Sequence, residues 1–290
     1  MIARVSIVTI SFNQAMFLEE AMLSVLGQQG VELEYIVVDP GSTDGSRDII
    51  GKYAGGLSHV ILEPDDGPAD GLNKGFSLAT GSVFGFLNSD DRLLPGVLAK
   101  VARYFENHPG VDVVSGHGYV VDDNDRVVRK AFSHKFDLAR YCTQGTALLQ
   151  QSTFFRAQAF RRTRGFNVQN RTCWDGELWV DLALAGARFG LCHDYWSCFR
   201  IHEDSISGRG TADIQARYLT DSLRILGRLG APERRSRSSH SSVLLNWLRE
   251  PRTLGAKLAD SWLRTVGLGR KFAPNDLGIS RDNLEAVTRR

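Results

Sequence analysis

YIVVDPGSTDGS, residues 35–46, opens on four apolar residues, reaches an acid at Asp39 and then breaks into a Gly/Ser turn. A short β-branched run bounded by turn residues reads as a strand buried on both faces. Upstream, VSIVTI at 5–10 is a second such run. Ala15 to Gln28 then places Phe17, Ala21, Ser24, Val25 and Gln28 near one helical stripe. Downstream, a helix runs through Ile49, Ile50 and Tyr53, followed by a strand from His59 to Leu62 and a helix from Ala69 to Ala79. A strand at Val83 to Leu87 and a helix at Pro95 to Phe105, with Pro95 in its first turn, complete the series. Strand and helix in strict succession predict parallel pairing and an α/β sheet of the nucleotide-binding kind.

The second half changes character. Val111 to Val121 and Arg126 to Ala131 read as strands around a polar turn, and Ser152 to Phe155 as a short strand. Trp174 to Ala185 reads as a helix, Leu191 and Phe199 as marking two further strands, and Thr211 to Leu229 as another helix. This mixture suits a lobe added to the same sheet. The 290 residues are 42% hydrophobic and 23% charged with a net charge of +2, so the global balance calls for no nucleic acid or other polyanion. Cys142, Cys173, Cys192 and Cys198 show no C-x-x-C spacing and read as reduced structural thiols. There is no N-terminal signal pattern and no apolar run of the roughly 18 residues a spanning helix needs. The expectation is a cytoplasmic protein whose one membrane role would be peripheral, on the inner face.

Open α/β sheets bind ligands at the carboxyl edge of their strands, so the chemistry is sought there. The first strand ends in Thr9, Ser11 and Asn13, small polar groups suited to a base or ribose. Asp39 ends the second and suits a ribose hydroxyl or a uracil ring nitrogen, with Ser42 in the turn beyond it; Asp44 and Ser46 have the simpler reading of capping the next helix. The fourth strand ends in Asn88-Ser89-Asp90-Asp91. Adjacent carboxylates repel unless a cation joins them to an anion, and Mg²⁺ or Mn²⁺ between acid and diphosphate does so. Alone the pair is weak, because turns use Asp freely.

Taken together, SIVTISFNQ, EYIVVDPGSTDGS, DGLNKGFSLATG and FGFLNSDD, followed by Pro95, resemble glycosyltransferase family 2 over Arg4 to Ser207. The resemblance implies a GT-A fold, a Rossmann-like mixed sheet flanked by helices. Residues 1–210 would be the catalytic domain, with 1–107 its nucleotide-sugar half and 108–210 its acceptor half. Residues 211–290 would be a helical C-terminal extension. It implies an inverting, Mn²⁺- or Mg²⁺-dependent transfer from a nucleotide-sugar, UDP ahead of GDP or dTDP, to a glycan or lipid-linked acceptor. Asp90 would lie near ribose and pyrophosphate, with Asp90 and Asp91 as metal ligands. Asn88 occupies the leading place of the family's D-x-D, which leaves the principal ligand open. Asp65 and Asp70 would touch the donor, with Asn73 and Lys74 opening onto the diphosphate, although Lys74 also reads as a solvated helix residue.

CWDGELWVDL, residues 173–182, resembles the family's acid motif. Asp175 falls in the first turn of its helix, where the helix N-terminus favours an anion, and would be the catalytic base. Glu177 is the rival base, and helix capping the simpler reading of Asp175. Gln150 to Arg156 resembles the acceptor-side segment, or is a buried strand. Phe199-Arg200-Ile201-His202 with Ser205 to Ser207 resembles a late R-x-H element that would bring His202 to the metal or diphosphate; His193 lacks that context and reads as structural.

Arg234, Arg235 and Arg237, then Leu244, Leu245, Trp247 and Leu248, and finally Trp262 and Leu263, form a basic, Trp-bearing tail. Such a surface suits an anionic membrane, the catalytic domain itself or a second subunit through the C-terminal helices. Two other functions stand against the transferase. A sugar nucleotidyltransferase would carry a Gly-rich, basic triphosphate loop after the first strand, where Ser11-Phe12-Asn13-Gln14 stands. A degenerate sugar-nucleotide binder would have no use for Asp39, Asp90, Asp91 and Asp175 together. The absence of G-x-G-x-x-G argues against a dinucleotide-binding dehydrogenase.

Overall fold

A computed structural model describes residues 3–142, 148–203, 205, 211–230 and 251–265. Its described strands are β1 (Arg4–Ile10), β2 (Glu32–Val38), β3 (His59–Ile61), β4 (Val83–Asn88), β5 (Arg92–Leu93), β6 (Val113–Val121), β7 (Val127–Ala131), β8 (Thr153–Arg156) and β9 (Phe189–Arg200). Its α-helices are α1 (Ala15–Leu26), α2 (Ser46–Lys52), α3 (Pro68–Leu78), α4 (Val97–Asn107), α5 (Leu138–Cys142), α6 (Ala157–Phe160), α7 (Trp174–Leu184), α8 (Ala212–Arg228) and α9 (Pro251–Thr265). The strands form one sheet in the order β3-β2-β1-β4-β8-β6-β9-β5, with β7 on β6.

The pleat explains why β1, β2 and β4 are apolar at nearly every position, since successive side chains enter opposite cores. Val5, Ile7, Tyr35, Val37 and Leu87 pack with α1 and α4 on one face. Val8, Ile36, Val38, Phe84 and Phe86 pack with α3 and α7 on the other. Helix α3 lies close on β1 because Gly75 has no Cβ; one built there would meet Val8 Cγ1 at 2.5 Å.

The sheet is mixed, as the resemblance implied, and the half in which strand and helix alternate strictly is its all-parallel part. β1 to β4 run parallel, but β8 is antiparallel to β4 and to β6, and β9 returns parallel to β6. The two strands expected around Leu191 and Phe199 are one twelve-residue strand, β9, whose pairing with β6 shifts register around His117. Pro95 precedes α4 instead of entering it, and Gly96 at φ +72° forms the cap. Helix α9 reaches the β7 edge, where Lys257 Nζ lies 3.0 Å from His134 Nε2. Among the described residues no helix is long and apolar enough to cross a membrane. The tail residues from Arg234 to Leu248, and the side chains of Trp262 and Leu263, lie outside what the structure describes, as do Ile206 and Ser207.

Candidate active site

Register brings the strand ends together, because Ile10 is level with Val38 on one side and with Asn88 on the other. The residues just past these ends open onto a cavity of about 630 Å³. Ser11, Asp65, Asn88, Asp90, Asp91 and Asp175 all line it, with Leu148, Gln150, Gln151 and Trp174 completing the wall beside Asp175. Residues as far apart in sequence as Ser11 and Asp175 therefore share one space, and of the acids singled out in the sequence Asp65, Asp90, Asp91 and Asp175 line it.

Asp39 is fully buried beside this space, and its neighbour Pro40 lines it. Asp39 Oδ1 accepts the N–H groups of Gly41 and Ser42, at 3.1 and 2.8 Å, and Arg47 Nε at 3.2 Å. Oδ2 has no partner. A buried carboxylate oxygen with nothing to accept from is costly, so a ligand donor there is the natural complement.

At the end of β4, Asp91 Oδ1 accepts the Arg200 N–H at 3.0 Å, while Oδ2 is buried and unpartnered. Burial, and after it the charge of Asp90, pushes the Asp91 carboxyl well above the usual carboxylate range. Asp90 Oδ2 lies 3.2 Å from His202 Nε2, and the His202 ring rests 4.7 Å from that of Phe17. Arg200 is almost wholly buried: its Nε donates to the Asp90 carbonyl at 3.1 Å, and its Nη2 pairs with Glu20 and Asp125 at 3.1 and 2.7 Å. It thus ties the acidic turn to α1 and to the β6–β7 hairpin. Among the described residues no three His, Cys, Asp or Glu side chains close on one point as a metal cage. The fit is to a cation shared with a ligand: Asp90 lines the cavity and meets His202, which does not line it, Asn88 Oδ1 and Asp91 Oδ2 lack partners, and Mg²⁺-type ions take one or two carboxylates plus phosphate oxygens.

The two candidate bases have opposite surroundings. Glu177 is buried and fully engaged, accepting from Asn167, Asn170, Arg224 and Arg228 at 3.0, 2.8, 3.1 and 2.7 Å. Burial would raise its pKa, but the two amides and Arg224 outweigh it and hold the group below the usual glutamate range. Asp175, in the first turn of α7, faces the cavity, and no side chain contributes to its titration. Burial pushes its carboxyl up, against the pull of the Gly176 and Asp175 N–H groups. The helix N-terminus expected to favour its anion is present as the pull of these N–H groups, and burial opposes it. Cys173, at the cap, is pushed up to about 11 by burial and then by Asp175, so it stays a thiol.

Other predicted contacts are engaged elsewhere. Thr9 is fully buried and its Oγ1 accepts the Tyr35 hydroxyl at 3.0 Å, so it faces the core. Asn13, at φ +53°, holds two loops together: its N–H donates to Ser42 Oγ at 2.7 Å and its Oδ1 accepts from Thr43 N–H at 2.9 Å. Ser42 is committed to that bond. Asp44 does both jobs: its Oδ1 accepts the N–H of Ser46, first residue of α2, at 3.0 Å, and its Oδ2 accepts from Ala15 at the start of α1 at 2.8 Å, while Ser46 makes no cap and its Oγ accepts from Gln14 at 3.2 Å. Asp70 and Lys74 pair with each other at 2.9 Å and Lys74 reaches the Pro64 carbonyl at 2.6 Å, so neither lines the cavity. Asn73 makes a two-way clamp on the Phe166 backbone, each bond 2.8 Å. Asp65 does line the cavity, and burial raises its pKa. Arg47, Glu20 and Asp125 carry weight at the site without a sequence signal, since each is an ordinary charged residue made important only by contacts across the fold.

A family model described as Glycosyl transferase family 2 matches residues 6–166. An uncharacterised glycosyltransferase of Nostoc sp. is 34% identical over 131 residues, 44% of this chain and 40% of that protein. A PGL/p-HBAD biosynthesis glycosyltransferase of Mycobacterium tuberculosis is 31% identical over 176 residues, 59% of this chain and 66% of the relative. The match thus spans less than two thirds of either relative. Among solved structures, Staphylococcus aureus TarS 1–349 in complex with UDP-GlcNAc superposes with a TM-score of 0.62 at 19% identity, covering 88% of this chain and 75% of that one. The mannosyltransferase PcManGT of Pyrobaculum calidifontis, in complex with GDP-Man and Mn²⁺, gives a TM-score of 0.59 at 19% identity over 99% of this chain and 84% of that one. The curled mixed sheet flanked by helices is the GT-A fold.

Proposed function

The chain belongs to glycosyl transferase family 2, and on that premise we propose that it moves a sugar from a nucleotide-diphosphate donor, a UDP-sugar by preference, onto an acceptor hydroxyl with inversion at the anomeric carbon. The observation that carries this reading is the single cavity shared by Asp90, Asp91 and an Asp175 whose raised pKa suits a base. Asp39 Oδ2 would accept from the donor's base or ribose. Asp90 and His202, with Asp91 and Asn88 behind them, would hold a Mn²⁺ or Mg²⁺ ion on the diphosphate. When bound, such an ion neutralises charge gathering on the leaving group. Asp175 would take the proton of the acceptor hydroxyl as its oxygen bonds to the anomeric carbon and the bond to the diphosphate breaks on the opposite face. Arg200 would keep the acidic turn in place throughout.

UDP-GlcNAc in TarS and GDP-Man with Mn²⁺ in PcManGT support a nucleotide-sugar and a divalent ion. A glycan or lipid-linked acceptor belongs to the same proposal, and the mycobacterial relative named for PGL/p-HBAD biosynthesis supports glycosyl transfer in a biosynthetic reaction. In this reading residues 1–210 form the catalytic unit and α8 braces it, and the reaction runs on the cytoplasmic side with the chain at the membrane surface. The test is a thermal-shift panel of UDP-, GDP- and dTDP-sugars with and without Mn²⁺. A UDP-sugar is expected to raise the Tm most, and more with the metal; no shift from any nucleotide would end the donor-site reading.

A further inference from the structure

Gln150 sits in the cavity wall with its amide orientation fixed by one backbone atom. Its Nε2 is 2.6 Å from the Phe86 carbonyl and its Oε1 is 3.3 Å from Asn88 Nδ2. A carbonyl oxygen only accepts, so the atom facing Phe86 has to be the amide nitrogen; the reversed amide would press two oxygens together. Gln150 therefore turns its oxygen to Asn88, and an oxygen takes only a donor, so Asn88 turns its NH₂ toward Gln150. The remaining polar atom of Asn88, Oδ1, is buried and has no partner, although Asn88 lines the cavity. Buried polar groups are nearly always paired, and this one stands two residues from Asp90, at the end of β4.

We propose that Gln150 is a positioning residue that locks Asn88 so that it offers the bound donor an acceptor oxygen and never its NH₂. The oxygen takes an electropositive atom of that ligand, either a hydroxyl hydrogen or the divalent ion on the diphosphate. The inference rests on the donor-site reading above and deepens it. It gives the chain's departure from a leading acid at position 88 a structural reason, because an Asp there would set a carboxylate against Gln150 Oε1. To relieve that contact Gln150 would have to turn over and oppose the Phe86 carbonyl.

The test is UDP binding to the full chain by calorimetry, with and without Mn²⁺, for the wild type, Gln150→Met, Asn88→Ala and the double variant. Asn88→Ala is expected to weaken binding about 10-fold, as loss of one ligand contact does, and Gln150→Met about 2-fold, because the unlocked amide has two orientations and the ligand takes one. The double variant should be no weaker than the worse single, because both remove the same contact. A loss confined to the Mn²⁺ arm assigns the oxygen to the cation, and an equal loss in both arms assigns it to a hydroxyl. Either result supports the lock. Multiplying losses in the double variant, or wild-type affinity in Gln150→Met, overturn it. A wild type that binds no UDP in either arm overturns the donor site itself and the lock with it. If Gln150→Met loses its native circular dichroism, Asn88→Asp takes its place: weaker binding is expected despite the added acid, and equal or tighter binding refutes the lock.

Discussion

Glu177→Gln separates a structural carboxylate from a catalytic one two residues away. Glu177 is 1% exposed and joins α7 to α8 through Arg224 and Arg228 at 3.1 and 2.7 Å. Leaving a buried charge with no partner costs about 3–5 kcal/mol. Here neither arginine is stranded, since Arg224 keeps Asp221 at 3.1 Å and Arg228 keeps Asp181. The loss should be nearer that of one charge-assisted hydrogen bond, about 2 kcal/mol. Each kcal/mol moves the Tm of a chain of this size by about 2–4 °C, so thermal melts at neutral pH should show a fall of roughly 4–8 °C. Because the pKa of Glu177 is held below its ordinary 4.5, its contribution is complete above that value and fades as the pH falls through the lower folded-state one. The gap between wild type and variant should stay constant from neutral pH down to that region and then close. Sugar transfer by the folded variant should persist. An unchanged Tm with transfer abolished would refute the reasoning and make Glu177 the base.

Asp175→Asn should lower kcat by about 10²–10⁴, the usual worth of a general base, in a transfer assay with saturating donor. Its Tm should be unchanged or higher: burial holds this carboxyl above the ordinary range, so ionisation costs the fold stability above that raised value, and the amide removes the penalty. Asp39→Asn should keep its oxygen toward Gly41 and Ser42 and set an NH₂ where Oδ2 lacked a partner, weakening UDP binding by about 10-fold in calorimetry; unchanged affinity would remove Asp39 from the donor site. Gly75→Ala should cost about 1–3 kcal/mol in chemical denaturation, because its Cβ would stand 2.5 Å from Val8 Cγ1 where α3 crosses β1.

The parallel half of the sheet was legible because its signal is local. VSIVTI and YIVVD are apolar at successive positions only where both faces of a strand are covered, and Asp39 marks where the cover ends. The antiparallel half was not. Thr153–Arg156 pairs with β4 and β6 through contacts far apart in sequence, and nothing within four residues states a direction. β9 read as two strands because its middle, Cys192 to Tyr195, is half-exposed where its pairing with β6 shifts, and that polar interruption looks like a turn. Asp175 and Glu177 are likewise indistinguishable as letters. Asn167 and Asn170 from the loop before α7, with Arg224 and Arg228 from α8, fix one of them in place.

The same distinction holds around the cavity. Short polar residues at strand ends have two uses, fastening loops to one another and meeting a ligand, and composition does not separate them. Their hydrogen bonds do. Thr9, Asn13, Ser42, Asp44 and Ser46 each have an engaged side chain, and together they fasten the β1–α1 loop to the β2–α2 loop or to the core. Ser11 Oγ, Asp39 Oδ2, Asn88 Oδ1, Asp91 Oδ2 and Gln151 Nε2 are buried at or beside the cavity with nothing to bond to. The fastened group makes the second group possible, because an orphan polar atom persists in a folded chain only when its neighbours leave it no local partner to turn toward. Asp39 has both kinds of atom in one side chain: Oδ1 is saturated by two backbone N–H groups and Arg47, while Oδ2, buried beside the cavity, bonds to nothing and is the atom we propose for the donor.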